Sequence, residues 1–169
     1  REAVRRAGVD LPASGLARTM DEAMRVVKEI GLPCIIRPAF TLGGTGGGMA
    51  YNMEEFQRTA LTGLNASMVG EILIEESVVG WKELEIEMMA DSSGNGIVIC
   101  TVENLDPMGV HTGDSVTVAP AQTMTDAEIQ EMRAKSFRIM RSIGLRTSGC
   151  NIQFAQCPKT GRMVAIELN

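Results

Sequence analysis

The chain has 169 residues, of which 44% are apolar, with a formal net charge of −5, four cysteines and one histidine. That length fits one domain or two small lobes with a real core. The acidic, interspersed charge argues against a nucleic-acid surface and against disorder. One histidine and no C-x-x-C pair argue against zinc, and the apolar runs are far shorter than the about 20 residues of a membrane span.

In chain order, "REAVRRAG" is helix-like. Thr19-Met-Asp-Glu22 has capping-box spacing. Ala23, Val26, Val27 and Ile30 come next with helical periodicity, and Gly31 supplies the stop. "PCIIRP" reads as a short buried strand, Asn52 caps a helix to about Leu64, and "EILIEES" (71–77) reads as a strand. "KELEIEMMAD" alternates, with Glu83, Glu85 and Glu87 on one face and Leu84, Ile86 and Met88 on the other. "DSSGNG" turns it into "IVICTVEN", a hairpin. Residues 105–122 read as a long loop. Thr125-Asp-Ala-Glu128 is a second capping box, opening a helix to about Ile143 before Gly144. "CNIQFAQ" and "RMVAIELN" form a last hairpin around "PKTG". Helices alternate with antiparallel hairpins, which is an α+β pattern. Three of the four cysteines (Cys34, Cys100, Cys150, Cys157) sit in apolar strand-like runs and read as buried thiols, fitting a reducing, cytoplasmic compartment.

"RPAFTLGGTGGGMAYN" (37–52) concentrates five of the eighteen glycines. It is neither a Walker loop, which ends in Gly-Lys-Ser/Thr, nor a dinucleotide fingerprint, because a strand-like run comes after it. A strand–glycine loop–strand unit can present backbone N–H groups to phosphates, with Thr41 and Thr45 adding hydroxyls. A ligand-free hairpin tip is an equal reading of the glycines alone. Arg37 tilts the balance toward an anion, because an unpaired guanidinium in an apolar strand is costly; a phosphate or a buried carboxylate would satisfy it.

"PCIIRPAFTLGGTGGG", "EESVVGWKELEIE", "ENLDPMGVHTGDSVTVAPAQT" and "NIQFA…IELN" together resemble the carbamoyl-phosphate synthase large-chain family, in its N-terminal, carboxyphosphate-forming half. The resemblance runs in order over essentially the whole chain, and "VHTGDS" with "VAPAQT" carries most of its specificity. It implies an ATP-grasp fold, with a small lobe carrying the glycine loop at 1–78, a second lobe with a metal-ligand hairpin at 79–169, and a nucleotide in the cleft between them. By resemblance, Arg37, Gly43 and Gly44 hold phosphates, and Glu76 and Val78 form a hinge whose backbone meets the adenine edge. Glu83 serves the ribose hydroxyls and a potassium site. Gly109, Val110 and His111 line the nucleotide site, with Arg37 and His111 nearest the chemistry. Gln153, Glu167 and Asn169 bind magnesium or manganese. Asn104, Asp106 and Ser115 are further potassium contacts.

Read from the residues, Glu76 also fits an ordinary strand end. Glu85 and Glu87 fit a solvated face better than a site, Trp81 fits packing, and a lone loop histidine fits a structural role. Glu167 and Asn169 lie two apart on a strand and so share a face, with Ile166 and Leu168 on the other. If Gln153 pairs with Glu167, the hairpin loop is 158–162 and three oxygen donors share that face, a set suited to magnesium; a polar solvent face is the alternative.

The implied reaction is ATP-dependent activation of bicarbonate to carboxyphosphate, as part of carbamoyl phosphate synthesis for arginine and pyrimidine formation. Its implied partners are a glutamine amidotransferase small subunit and the C-terminal half of the same large chain. The rivals are another ATP-grasp ligase or a biotin carboxylase, and a nucleotide-binding module without turnover. A helix-like start without Met and a stop directly after a strand point to a fragment, which is expected to bind Mg-ATP weakly and to turn over little.

Overall fold

The chain opens with a five-residue helix, α1 (Glu2–Arg6), that packs not with its neighbours in sequence but with the far end of the chain. In this computed structural model, which describes residues 1–40, 46–110 and 114–169, Arg1–Leu11 joins Val78–Asn169 in one unit and Pro12–Ser77 forms another. Val4 and Val9 are buried among Leu84, Met140 and Ala165. The Ser142 hydroxyl donates to Ala3 O at 2.6 Å, and Ala165 N–H donates to Asp10 O at 2.9 Å. The divisions therefore fall after Leu11 and after Ser77, whereas the sequence reading joins residues 1–11 to the glycine-loop segment. The reason is apolar burial, since a five-residue helix is stable only where its apolar side chain, here Val4, finds a core.

The Pro12–Ser77 unit holds β1 (Ser14–Ala17), α2 (Met20–Ile30), β2 (Cys34–Pro38), β3 (Gly48–Ala50), α3 (Met53–Ala66) and β4 (Ile72–Glu76). Its antiparallel sheet runs β1-β4-β2-β3. Both helices start where the sequence places them. The Thr19 hydroxyl accepts from Glu22 N–H and Asn52 Oδ1 from Glu55 N–H, while the Glu22 and Glu55 carboxylates reach back to Arg18 and Tyr51 N–H. Gly31 ends α2 at φ +84°. Ala23, Val27, Phe56 and Ala60 pack on Ile36, Ile72 and Ile74. Cys34 is fully buried there, and burial pushes its thiol up to about 11.

The other unit holds β5 (Lys82–Ala90), β6 (Gly96–Asn104), β7 (Thr117–Val118), α4 (Asp126–Ile143), β8 (Ser148–Gln156) and β9 (Met163–Leu168). Its antiparallel sheet runs β7-β6-β5-β8-β9. Met132, Ile139 and Met140 of α4 cover Leu84, Ile86, Ile152 and Phe154 on one face. Thr125 and Glu128 make the reciprocal capping box, and Gly144 closes α4 in the left-handed region. β1 and β7 are not evident from the sequence, being too short to show a period. Cys150 is buried as expected, but Cys100 and Cys157 are only partly covered. Among the described residues no helix is long and apolar enough to cross a membrane.

Candidate active site

The uncovered face of the five-stranded sheet carries the polar residues. Register puts Glu83 between Asn104 and Ala155, Glu85 beside Gln153, and Glu87 beside Asn151. Residues opposite one another share a face, so the glutamates of β5 meet the amides of β6 and β8. Glu83 Oε1 accepts from Asn104 Nδ2 at 2.9 Å and from Gln153 Nε2 at 2.5 Å. Glu85 accepts from Asn104 Nδ2 at 3.0 Å through Oε1 and from Asn151 Nδ2 at 2.8 Å through Oε2. Glu87 Oε1 accepts from Asn151 Nδ2 at 2.7 Å. Glu83 is 2% exposed. The expectation that Glu85 and Glu87 belong to a solvated face is thus corrected: both are partly covered and hydrogen-bonded to amides, because their strand lies in the middle of the sheet.

The metal trio occupies the same face. Gln153 pairs with Glu167, and Asn169 exchanges two 2.9 Å backbone hydrogen bonds with Asn151. A β-bulge intervenes, however: Phe154 pairs with Ala165, so Ile166 is the extra residue. The loop is consequently 157–162, one residue longer than the unbulged pairing requires. The bulge also separates Ile166 from Leu168. Ile166 packs with Val78, Ala155 and Val164, whereas Leu168 packs with the helix-covered core. Glu167 itself is exposed.

These residues suit a hard cation. Gln153 donates its nitrogen to Glu83, and its amide oxygen is of the kind a hard cation takes. Among the described residues no ion pair engages Glu85, Glu87 or Glu167, so the face is strongly negative. No three His, Cys, Asp or Glu side chains converge as a metal site among the described residues; two of the three expected donors are amides. Asn104 turns its nitrogen toward Glu83 and its Oδ1 toward Thr117 (2.7 Å), so in this arrangement its oxygen does not face Glu83.

The described residues 105–110 and 114–118 adjoin this face through β7. Asp106 Oδ2 accepts from Val116 N–H at 3.1 Å, which ties the two ends of the segment together. Met108 exchanges backbone hydrogen bonds of 2.9 Å with Gly80 and Trp81. Gly109 stands at φ +112° over Val79, a conformation that favours glycine. Val110 is half-exposed beside it. Ser115 lies in the same segment and also has a bonding partner. His111 lies outside the described residues. Trp81 packs against Val78 and Ala155, with the Arg162 guanidinium carbon 5.9 Å from its ring centroid, in keeping with a packing role.

In the Pro12–Ser77 unit, Arg37 is not the buried guanidinium that the sequence suggests. Cys34 and Ile36 face the core, so the alternation turns Arg37 outward, and its side chain is 63% exposed with Nη2 3.6 Å from Glu75 Oε1. The desolvation cost inferred from an apolar run disappears, since only every second residue of that run is buried. Glu76 closes β4 facing Cys34; its N–H donates to Ala13 O, and its Oε2 accepts from Ala13 N–H at 3.0 Å. Val78 begins the other unit, and its buried side chain leaves only its backbone for a ligand. Gly43 and Gly44 lie outside the described residues.

Two features escape the sequence reading. Asn151 stands two residues before Gln153 on β8, so period-two alternation alone places it on the same face. Glu103, 4% exposed, accepts from Gln122 N–H (2.8 Å), Thr123 N–H (2.9 Å) and the Thr123 hydroxyl. Burial acts to raise this carboxyl, but those donors, helped by Lys82, outweigh it and hold it below the usual carboxylate range. No local pattern announces that contact, which spans about twenty residues of loop.

Comparison with known proteins agrees over the full length. The family described as "Carbamoyl-phosphate synthase L chain, ATP binding domain" matches residues 1–169. The carbamoyl phosphate synthase large chain of Myxococcus xanthus (strain DK1622) is 60% identical over 169 residues, all of this chain but only 16% of that protein. The chain therefore spans about a sixth of the length of such relatives. Among solved structures, the biotin carboxylase domain of Hydrogenobacter thermophilus 2-oxoglutarate carboxylase, in complex with MgADP, ADP and bicarbonate, is 25% identical with a TM-score of 0.76, over 99% of this chain and 38% of that one. Campylobacter jejuni biotin carboxylase superimposes with a TM-score of 0.76 at 19% identity, over 99% and 38% respectively.

Proposed function

The chain belongs to the family of the carbamoyl-phosphate synthase L chain ATP-binding domain and has an α+β ATP-grasp fold; from that premise we propose that it binds magnesium ATP and phosphorylates bicarbonate to carboxyphosphate. The observation that supports the reading is the single face shared by Gln153, Glu167 and the Glu83 carboxylate, with the Gln153 nitrogen donated to Glu83.

In this reading Gln153, Glu167 and Asn169 hold magnesium (or manganese), which when bound neutralises phosphate charge and orients the γ-phosphoryl group. Glu83 orients Gln153 and contributes to the ribose contact and a potassium site, the latter with Asn104, Asp106 and Ser115. Arg37 exchanges its long contact with Glu75 for a phosphate oxygen, as an exposed, weakly paired guanidinium can do at little cost. Gly43, Gly44 and the Gly109–His111 segment present backbone and imidazole donors to the phosphates, and the backbone of Glu76 and Val78 meets the adenine. A bicarbonate oxygen attacks the γ-phosphorus, the bond to ADP breaks, and carboxyphosphate and ADP result. Positioning and charge neutralisation supply most of the catalysis. Carboxyphosphate is labile, so exclusion of water protects it. In the whole synthase, ammonia from a glutamine-hydrolysing small subunit then yields carbamate, which the C-terminal half of the large chain phosphorylates. The MgADP and bicarbonate of the Hydrogenobacter relative support this choice of ligands.

The test is calorimetric titration of ATP into the chain with magnesium and with a chelator. Binding that tightens with magnesium is expected; equal affinity in both, or no binding, overturns the reading. Bicarbonate-stimulated release of phosphate by the full large chain, lost in Glu167→Ala, tests the chemistry.

A further inference from the structure

Both ends of the glycine-rich run meet the last turn of α3. At the entry, Ala39 N–H donates to Glu71 O at 2.8 Å, and Ala39 O accepts from the Ser67 hydroxyl at 2.8 Å. Ser67 is buried at the end of α3, where its N–H donates to Gly63 O at 3.0 Å. Its Oγ also accepts from Glu71 N–H at 3.1 Å. One hydroxyl thus joins the end of α3, the approach to β4 and the chain two residues beyond Arg37. At the exit, the backbone packs too closely for side chains. A Cβ on Gly46, which stands at φ +85°, would lie 2.6 Å from Ala66 Cβ, and one on Gly63 would lie 3.2 Å from Gly46 O. A Cβ on Gly47 would lie 2.8 Å from Ile36 O, whereas one on Gly48 would meet only Thr59 Cγ2, at an ordinary 3.5 Å. Packing alone therefore accounts for Gly46 and Gly47, without a ligand.

We propose that Ser67 is a positioning residue for the phosphate end of the nucleotide site: it fixes Ala39, and with it the point from which Arg37 and the glycine-rich run leave the sheet. A hydroxyl has one proton to donate, and Ser67 gives it to Ala39 O. The close approach of Gly46 to α3 fixes the other end of the same run. The inference rests on the proposed phosphate role of Arg37, Gly43 and Gly44, but the anchoring it asserts exists without any nucleotide.

Ser67→Ala removes the hydroxyl and little else. Two measurements on the whole chain separate the outcomes. In amide NMR spectra without nucleotide, Ser67→Ala should speed hydrogen exchange of Ala39 N–H about tenfold, the weight of one hydrogen bond. It should also shift the Arg37 and Gly46 amides and leave those of β5 and β8 in place. An unchanged Ala39 rate overturns the proposal. With ligand, ATP affinity should fall about threefold to tenfold, while affinity for adenosine, which has no phosphate, is unchanged. Equal losses for ATP and adenosine mark Ser67 as merely structural and overturn the positioning role. If Ser67→Ala does not fold, Ser67→Cys keeps a weaker donor of similar shape and should give the same pattern at smaller size. At the exit, Gly47→Ala should disturb the Ala39 rate and weaken ATP binding, and Gly48→Ala should do neither; equal behaviour of the two counts against the anchoring. Should the unaltered chain bind no ATP, the proposed function fails, and the exchange rates still decide whether Ser67 fixes Ala39.

Discussion

Gln153 lies directly opposite Glu167 across the β8–β9 pairing, one residue before a β-bulge. The bulge lets an apolar hairpin place Ile166 and Leu168 in separate clusters while Glu167 stays exposed. Removing Glu167 therefore costs little packing. Glu167→Ala should leave thermal unfolding within a few degrees and reduce the magnesium-dependent part of ATP affinity at least tenfold, about the smallest effect seen when a mere supporting partner is lost. Gln153→Ala should do the same less cleanly, since it also strips a donor from buried Glu83. Calorimetry with and without magnesium checks both; a Glu167→Ala chain that responds fully to magnesium would exclude the hairpin as the metal site.

Arg37 separates function from stability. Its side chain is 63% exposed and its ion pair with Glu75 is long at 3.6 Å. Pairs of this kind contribute about 0–1 kcal/mol. Arg37→Ala should shift urea unfolding by no more than that, while ATP affinity falls about tenfold or more from the loss of a charge-assisted phosphate contact. Equal losses in both would mark the residue as structural.

The Glu103 clamp sets an acid limit. Its carboxyl is held below the ordinary value, so the folded state favours the charged form. The resulting stability is fully present above the unfolded-state pKa of about 4.3 and disappears as pH falls through the lower folded value. Glu103→Gln should cost about 1.5–3 kcal/mol at pH 7, the range for hydrogen bonds to a charged group. The gap to the unaltered chain should close as pH drops below about 4. Unfolding midpoints measured from pH 7 to pH 3 decide it; a gap independent of pH would mean that the clamp does not titrate.

Gly109 carries strain for any other residue. At φ +112° an alanine costs about 1–3 kcal/mol, though the space above Val79 would admit its methyl at 3.4 Å. Gly109→Ala should lower the unfolding midpoint and weaken ATP binding together, through the backbone it re-aims. Gly94→Ala, at φ +82° in the distant β5–β6 turn, should lower stability without touching ATP.

Much of this was legible in the residues. The Thr19, Asn52 and Thr125 caps, both glycine stops and the alternation of β5 come from local rules, because caps and period-two burial depend only on near neighbours, whereas the Gln153–Glu167 pairing is only one register that the residues allow. Arg37 shows where such rules end: an apolar run announces a strand but not which side of it faces the core, and the guanidinium turned outward. The bulge at Ile166 is equally silent, since one inserted residue changes register without changing composition. Only tertiary structure sent Arg1–Leu11 to the far end of the chain, closed Glu103 on Thr123, and threaded Glu83, Glu85 and Glu87 onto the amides of two neighbouring strands. Those contacts join residues tens of positions apart, and their energies depend on burial that no sequence window contains.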